Sequence, residues 1–239
     1  MTRTALIYAS IVIAMGIAVL GSAALQWQSP WQSPTGPAML TCLGLASLAA
    51  TFKVSLPKLT GTISPAFVFL LVSVATQSWS ETVLISVVSA IVQCLWRPKK
   101  RPGALQVAFN AAAMAIAAGV AHGVARGLTA VGGLDVLVVV LGAAGVALLV
   151  TNTLLISTIL CLIKEGPFYT IWRSVQLWAV PHYLAGGVLA SSWARARLTA
   201  SIGVTVLAAA SVYVLSVCYS ELGRLLTGTE HQTPTLPAR

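Results

Sequence analysis

From Leu134 to Ile163 the chain reads LDVLVVVLGAAGVALLVTNTLLISTILCLI, 30 residues with a single charge, Asp135, at one edge. As straight helix such a run reaches ~45 Å, well beyond the ~30 Å hydrocarbon core of a bilayer. Its midpoint, Thr151-Asn152-Thr153, is polar, but 154–163 is too short to cross alone. One long, tilted helix is therefore expected rather than two spans. The pattern is not confined to this stretch. Further apolar runs lie at 4–25, 38–52, 65–79, 81–96, 104–126, 174–193 and 199–222.

Only 8% of the residues are charged, about a third of the ~25% usual in soluble domains. A soluble protein this poor in charge would expose large apolar patches and aggregate. The mean hydropathy of +0.89 agrees with lipid as the natural solvent. The expected fold class is all-α: a polytopic transmembrane helix bundle of about eight spans. Residues 1–223 form the membrane domain, and 224–239 a short polar tail without a packed structure.

The connectors refine this picture. Arg3 ahead of the first run and small residues at Gly21–Ala24 imitate a secretory signal, yet the apolar stretch is long for a signal core, which favours a retained span. QWQSPWQSPTGP carries no charge, two Trp and three Pro, and suits an external interfacial loop. The runs 38–52 and 65–79 are short for spans. Between them KVSLPKLTGTIS alternates Val54 and Leu56 with polar neighbours and holds Pro57 and Gly61, which predicts an extended, hairpin-like element at the interface or dipping below it.

A formal net charge of +9 invites a nucleic-acid reading, but the basic residues occupy the gaps between apolar runs rather than one face of a domain. Nucleic acid is excluded as a partner on that ground. Placing the N-terminus inside gives eight spans with both ends cytoplasmic. Arg3, Lys53, Lys58, Arg97, Lys99, Lys100, Arg101, Lys164, Arg173, Arg224 and Arg239 then lie inside, and Arg126, Arg195 and Arg197 outside. This is a strong positive-inside bias. The turn WRPKKRP, residues 96–102, makes the largest single contribution with Arg97, Lys99, Lys100 and Arg101. Pro98 and Pro102 stiffen the turn. It reads first as a topology anchor at the inner membrane of a bacterium, and second as a surface facing anionic lipid or a cytoplasmic partner, at ~1 kcal/mol per charge.

Candidate ligand-binding residues are the polar side chains within the runs: Gln93, Gln106, Asn110, Asn152 and His182. Gln106 and Asn110, four apart, share a helical face. Such groups either bond across helices, at around 0.6–2 kcal/mol each, or line a polar pocket. His182 follows Pro181 mid-span, where an ionisable group is functional by default. No acid sits mid-span to partner it, which disfavours a proton-coupled pump. Gly119, Gly123 and Gly127 form GxxxGxxxG, and Ala46 and Ala50 a weaker small-residue pair; packing within the chain is favoured over dimerisation. Cys42, Cys94, Cys161 and Cys218 fall in separate runs without CxxC or Cys/His spacing, as buried thiols do. No nucleophile elbow, phosphate loop, HExxH or paired carboxylate appears. No catalysis, cofactor or metal is expected.

The 65 residues from Lys53 to Ala117 resemble the N-terminal multispanning domain of some HD-GYP-type cyclic-di-GMP phosphodiesterases and related bacterial signalling proteins. The likeness is carried by L-P…G-T-I-S over Leu56–Ser64, the Q-C-L-W-R-P turn over Gln93–Pro98, and Q-V-x-F-N over Gln106–Asn110. It implies a module that senses or anchors. The chain departs from that family in having no His-Asp metal motif and no Gly-Tyr-Pro, so the phosphodiesterase activity does not carry over. A fainter likeness is to the vitamin-binding S components of energy-coupling-factor transporters, where Ala-x-x-x-Ala motifs, here Ala46 and Ala50, dock a transmembrane partner. The expectation is a non-catalytic sensory or scaffolding module. The alternatives are an uptake component acting with a transporter partner and a purely structural membrane protein.

Overall fold

The computed structural model describes residues 2–27, 36–52, 54–55, 62–98, 101–132, 137–164, 167–169, 172, 187–188 and 190–191. The elements follow the chain as α1 (Arg3–Leu25), α2 (Gly36–Thr51), β1 (Val54–Ser55), β2 (Thr62–Ile63), α3 (Ala66–Thr76), α4 (Trp79–Leu95), α5 (Ala104–Gly132) and α6 (Leu137–Lys164). The expected eighth span, with Cys218, and the expected seventh apart from 187–188 and 190–191, His182 included, lie outside the described residues, as do Lys99 and Lys100.

Arg3–Leu25, Ala104–Ala130 and Leu137–Ile163 are long and apolar enough to cross a bilayer, so this is a helical membrane protein. The polar midpoint around Asn152 does not interrupt α6, which runs unbroken for 28 residues. Thr153 satisfies its hydroxyl within the helix, donating to the Leu149 carbonyl at 2.7 Å. The shorter α2, α3 and α4 have 16, 11 and 17 residues. The helix in the run 65–79 thus covers only Ala66–Thr76, because a corner at Gln77 and Ser78 takes the rest. At the two ends of the connector Val54 pairs with Ile63 and Ser55 with Thr62, antiparallel, as an extended element does.

Where the core sits follows from which helix is apolar all round. Every residue of α3 from Ala66 to Val74 is buried, as befits a helix with no polar face. It is enclosed by α2, α4, α5 and α6. Ala46 and Ala50 of α2, both fully buried, belong to this core and let the helix backbones approach. Cys42 donates its thiol hydrogen to the Phe69 carbonyl of α3 at 3.4 Å.

A second contact surface joins α1 to α5 and α6. Ala5, Ala9 and Val12 pack on Phe109, Ala112, Ala113 and Ile116. Gly16 marks the closest crossing: a Cβ built there would stand 2.6 Å from the Ala112 Cα. Two hydroxyls pin α1 to α6, Thr2 donating to the Leu162 carbonyl at 3.2 Å and Tyr8 to that of Leu155 at 3.4 Å.

Candidate functional site

α4 and α5 form a helical hairpin with chemistry at both ends. At one end is the basic turn. Trp96 closes α4 in an extended conformation, its backbone N–H donating to the Val92 carbonyl. Arg97 then adopts a positive φ of 38°, the one such non-glycine residue among those described. Pro98 disfavours right-handed helical geometry for the residue before it, and α4 stops here. Arg97 and Arg101 are exposed, and the Arg97 guanidinium lies 5.7 Å from the centre of the Trp96 ring. Gly103 restarts the helix, its carbonyl accepting from the N–H groups of Gln106 and Val107.

The polar residues singled out near this turn have different fates. Gln93 is half-buried, and its Oε1 accepts from the Ser64 hydroxyl at 3.2 Å, tying α4 to the segment that leads from β2 into α3. Asn110 donates from Nδ2 to the Cys94 sulfur at 3.2 Å, bridging α5 and α4. Those two therefore meet at the same end of the α4–α5 pair. Gln106 is exposed, and Asn152 is half-buried on α6.

At the other end of the hairpin, a corner joins α3 to α4. Ser78 caps α4: its backbone N–H and its hydroxyl each donate to Glu81 Oε2 at 2.8 Å, and its Oγ accepts from the Glu81 N–H at 3.4 Å. This reciprocal arrangement places a carboxylate, 5% exposed, at the positive end of the helix dipole. The Thr82 hydroxyl reaches back to the Ser73 carbonyl at 3.1 Å and locks the corner.

Against this corner α5 presents His122, only 6% exposed. Its ring meets the Trp79 indole edge-on with centroids 5.7 Å apart, beside the Gln77 backbone. The same indole lies over Gly119, one turn earlier on α5. Despite this enclosure, Gln77 Oε1, Trp79 Nε1, Ser80 Oγ and His122 Nε2 are buried without a hydrogen-bond partner. A lone unmet group of this kind costs about 1–3 kcal/mol, and here four fall within one corner.

The site highlighted in sequence at Gln93, Gln106 and Asn110 thus lies at the basic end of the hairpin, while the concentration of unpartnered polar groups lies at the opposite end. His122 carried its own signal: an ionisable residue inside the run 104–126, the same criterion that singles out His182. Gln77, Trp79 and Ser80 had none, since QSWSE reads as an ordinary polar boundary between two runs. Among the described residues no group of three His, Cys, Asp or Glu is placed to hold a metal ion. Comparison with known families, curated proteins and solved structures finds no match.

Proposed function

We propose that this chain is a non-catalytic sensory or scaffolding module of a bacterial inner membrane. In this reading it has about eight spans, both ends in the cytoplasm, and the turn 96–102 as its cytoplasmic contact surface. The observation that carries the proposal is the α4–α5 hairpin. It is packed against α1, α2, α3 and α6 along its length, yet ends in a turn with exposed Arg97, Arg101 and Trp96. A rigid hairpin that holds a cationic, aromatic tip at the membrane surface is suited to docking an acidic face of a cytoplasmic signalling protein, with anionic lipid as a supporting partner. The likeness of residues 53–117 to the membrane domains of HD-GYP-type signalling proteins points the same way.

The uptake reading fares less well. An Ala-x-x-x-Ala docking motif has to face outward, and Ala46 and Ala50 are both buried within the chain's own core.

Two measurements test the proposal. Alkaline phosphatase fused at Lys100 is expected to be inactive, and fused after Gly132 active. A mild-detergent preparation from native membranes is expected to retain a cytoplasmic signalling protein, and to lose it when Arg97, Lys99, Lys100 and Arg101 are all changed to Gln. Phosphatase activity at Lys100, or retention of an ATPase-coupled transporter regardless of the turn, overturns it.

A further inference from the structure

We propose that the edge of the bundle formed by the starts of α1 and α5 is an interaction surface for anionic phospholipid, with Arg3 and Arg101 meeting the headgroup phosphates. The two helices run parallel. Gly16 meets Ala112, the rings of Tyr8 and Phe109 lie 6.2 Å apart, and Ala23 clusters with Ala115 further along. Counted as helix, Arg3 stands about 20 Å before the Gly16–Ala112 crossing and Ala104 about 12 Å before it. Arg101, just ahead of Ala104, therefore reaches toward the level of Arg3. Both arginines are exposed, and neither has a carboxylate partner among the described residues. The only acid among those residues is Glu81, 5% exposed at the far end of the α4–α5 hairpin. The edge carries uncompensated positive charge and asks for an anion.

Which anion follows from what lies beside the charge. Ile7, Ile11, Ala14 and Ile17 continue, at helical spacing, the face that Arg3 opens, and all four are exposed. A lipid standing against this apolar stripe brings its headgroup to Arg3. α1 rises about 34 Å over its 23 residues, a little more than the ~30 Å hydrocarbon core, which leaves its first turn among the phosphates. On α5 the exposed Leu105 takes the same place beneath Arg101. An acidic protein approaching from the water would meet the arginines but has no use for apolar side chains directly beneath them. A bilayer satisfies both. Attraction of this kind is worth about five-fold in affinity per arginine. The surface rests on the membrane placement of α1 and α5 and not on the docking role of the turn, to which Arg3 does not belong.

The test reconstitutes the full-length protein in vesicles of equal parts phosphatidylglycerol and phosphatidylcholine, extracts it in mild detergent and counts the retained lipids by mass. Phosphatidylglycerol is expected to exceed phosphatidylcholine about five-fold, and the excess to vanish in the double variant Arg3→Gln, Arg101→Gln. Lysine at both positions keeps the charge and should keep most of the excess. Arg126→Gln, an exposed arginine toward the other end of α5, should keep all of it. Equal retention of the two lipids by the unaltered protein overturns the proposal, as does an excess unchanged in a folded double variant. So does a double variant that keeps its lipid and sheds a bound protein instead, which assigns the edge to an acidic protein partner. Should the double variant fail to fold, salt decides on the unaltered protein: the excess must fall as ionic strength rises, and an excess indifferent to salt overturns the proposal. Retention of a signalling protein is read separately on the four-residue turn variant, so either reading can fail alone.

Discussion

The indole of Trp79 lies directly across Gly119, so that a Cβ on that glycine would stand 2.8 Å from the ring's Cη2 and 3.3 Å from its Cζ3. The glycine is what lets the first residue of α4 reach over α5 to the edge of His122. A methyl group there has to push a rigid bicyclic plate off its seat, and overpacking of this kind costs typically about 1–3 kcal/mol. Gly119→Ala is therefore expected to lower stability by roughly that amount in a detergent unfolding titration. In a Trp79→Ala background the same change should cost nothing, so a double-mutant cycle should read a coupling of about 1 kcal/mol or more.

The other two glycines of the GxxxGxxxG stripe predict the opposite. Gly123 and Gly127 are exposed, and nothing lies within 4 Å of a Cβ at either. Ala in place of either should be neutral or stabilising by up to ~1 kcal/mol, the helix-propensity difference. A loss above 1 kcal/mol in the same titration would show that a neighbour covers this face.

At Gly16 the obstacle is main chain rather than side chain, since the Ala112 Cα is 2.6 Å from the built Cβ. Backbone cannot rotate away. Gly16→Val should separate α1 from α5 and break the Tyr8–Leu155 and Thr2–Leu162 bonds with it. Cysteine pairs placed at Ala9 and Ala113 should then lose their cross-linking, while Gly21→Val, in open space, leaves it intact.

The cap of α4 is the next target. Ser78→Ala removes both the acceptor for the Glu81 N–H and one of two donors to its carboxylate, and should cost about 1 kcal/mol. Glu81→Gln keeps an oxygen for the Ser78 N–H and should cost less than Glu81→Ala, measured by the same unfolding assay.

Arg97 carries a prediction of reversed sign. Its φ of 38° is a conformation that glycine adopts freely and a branched backbone resists. Arg97→Gly should stabilise the turn by about 0.5–1 kcal/mol. Arg101→Gly removes the same charge without that backbone gain, so the difference between the two variants isolates it.

How much of this could be read from the residues alone differs from place to place. The long helices were legible because nothing but helix lets a run such as 134–163 satisfy its backbone in lipid. The alternation around Val54, with Pro57 and Gly61 beyond it, disclosed the extended pairing, and WRPKKRP disclosed the turn. The interior was not legible. Apolar side chains look alike whether they face lipid or protein, so Ala66–Val74 reads as one more span when it is the most enclosed segment described. Spacing places Gly119, Gly123 and Gly127 on one face but not which of them meets a neighbour. The partnership of His122 with Gln77 and Trp79 joins positions some forty residues apart, and no local pattern announces it.

α3 rises only about 16 Å over its 11 residues and meets protein on every side. It therefore gains little from hydrocarbon and cannot leave the translocon stably by itself. Biogenesis should admit it as one unit with α4, turned at Ser78, and complete its enclosure only when α5 and α6 have been synthesised. In a chain halted after Leu95 a cysteine placed in α3 should accordingly remain open to a water-borne maleimide, whereas in one halted after Lys164 it should be shielded.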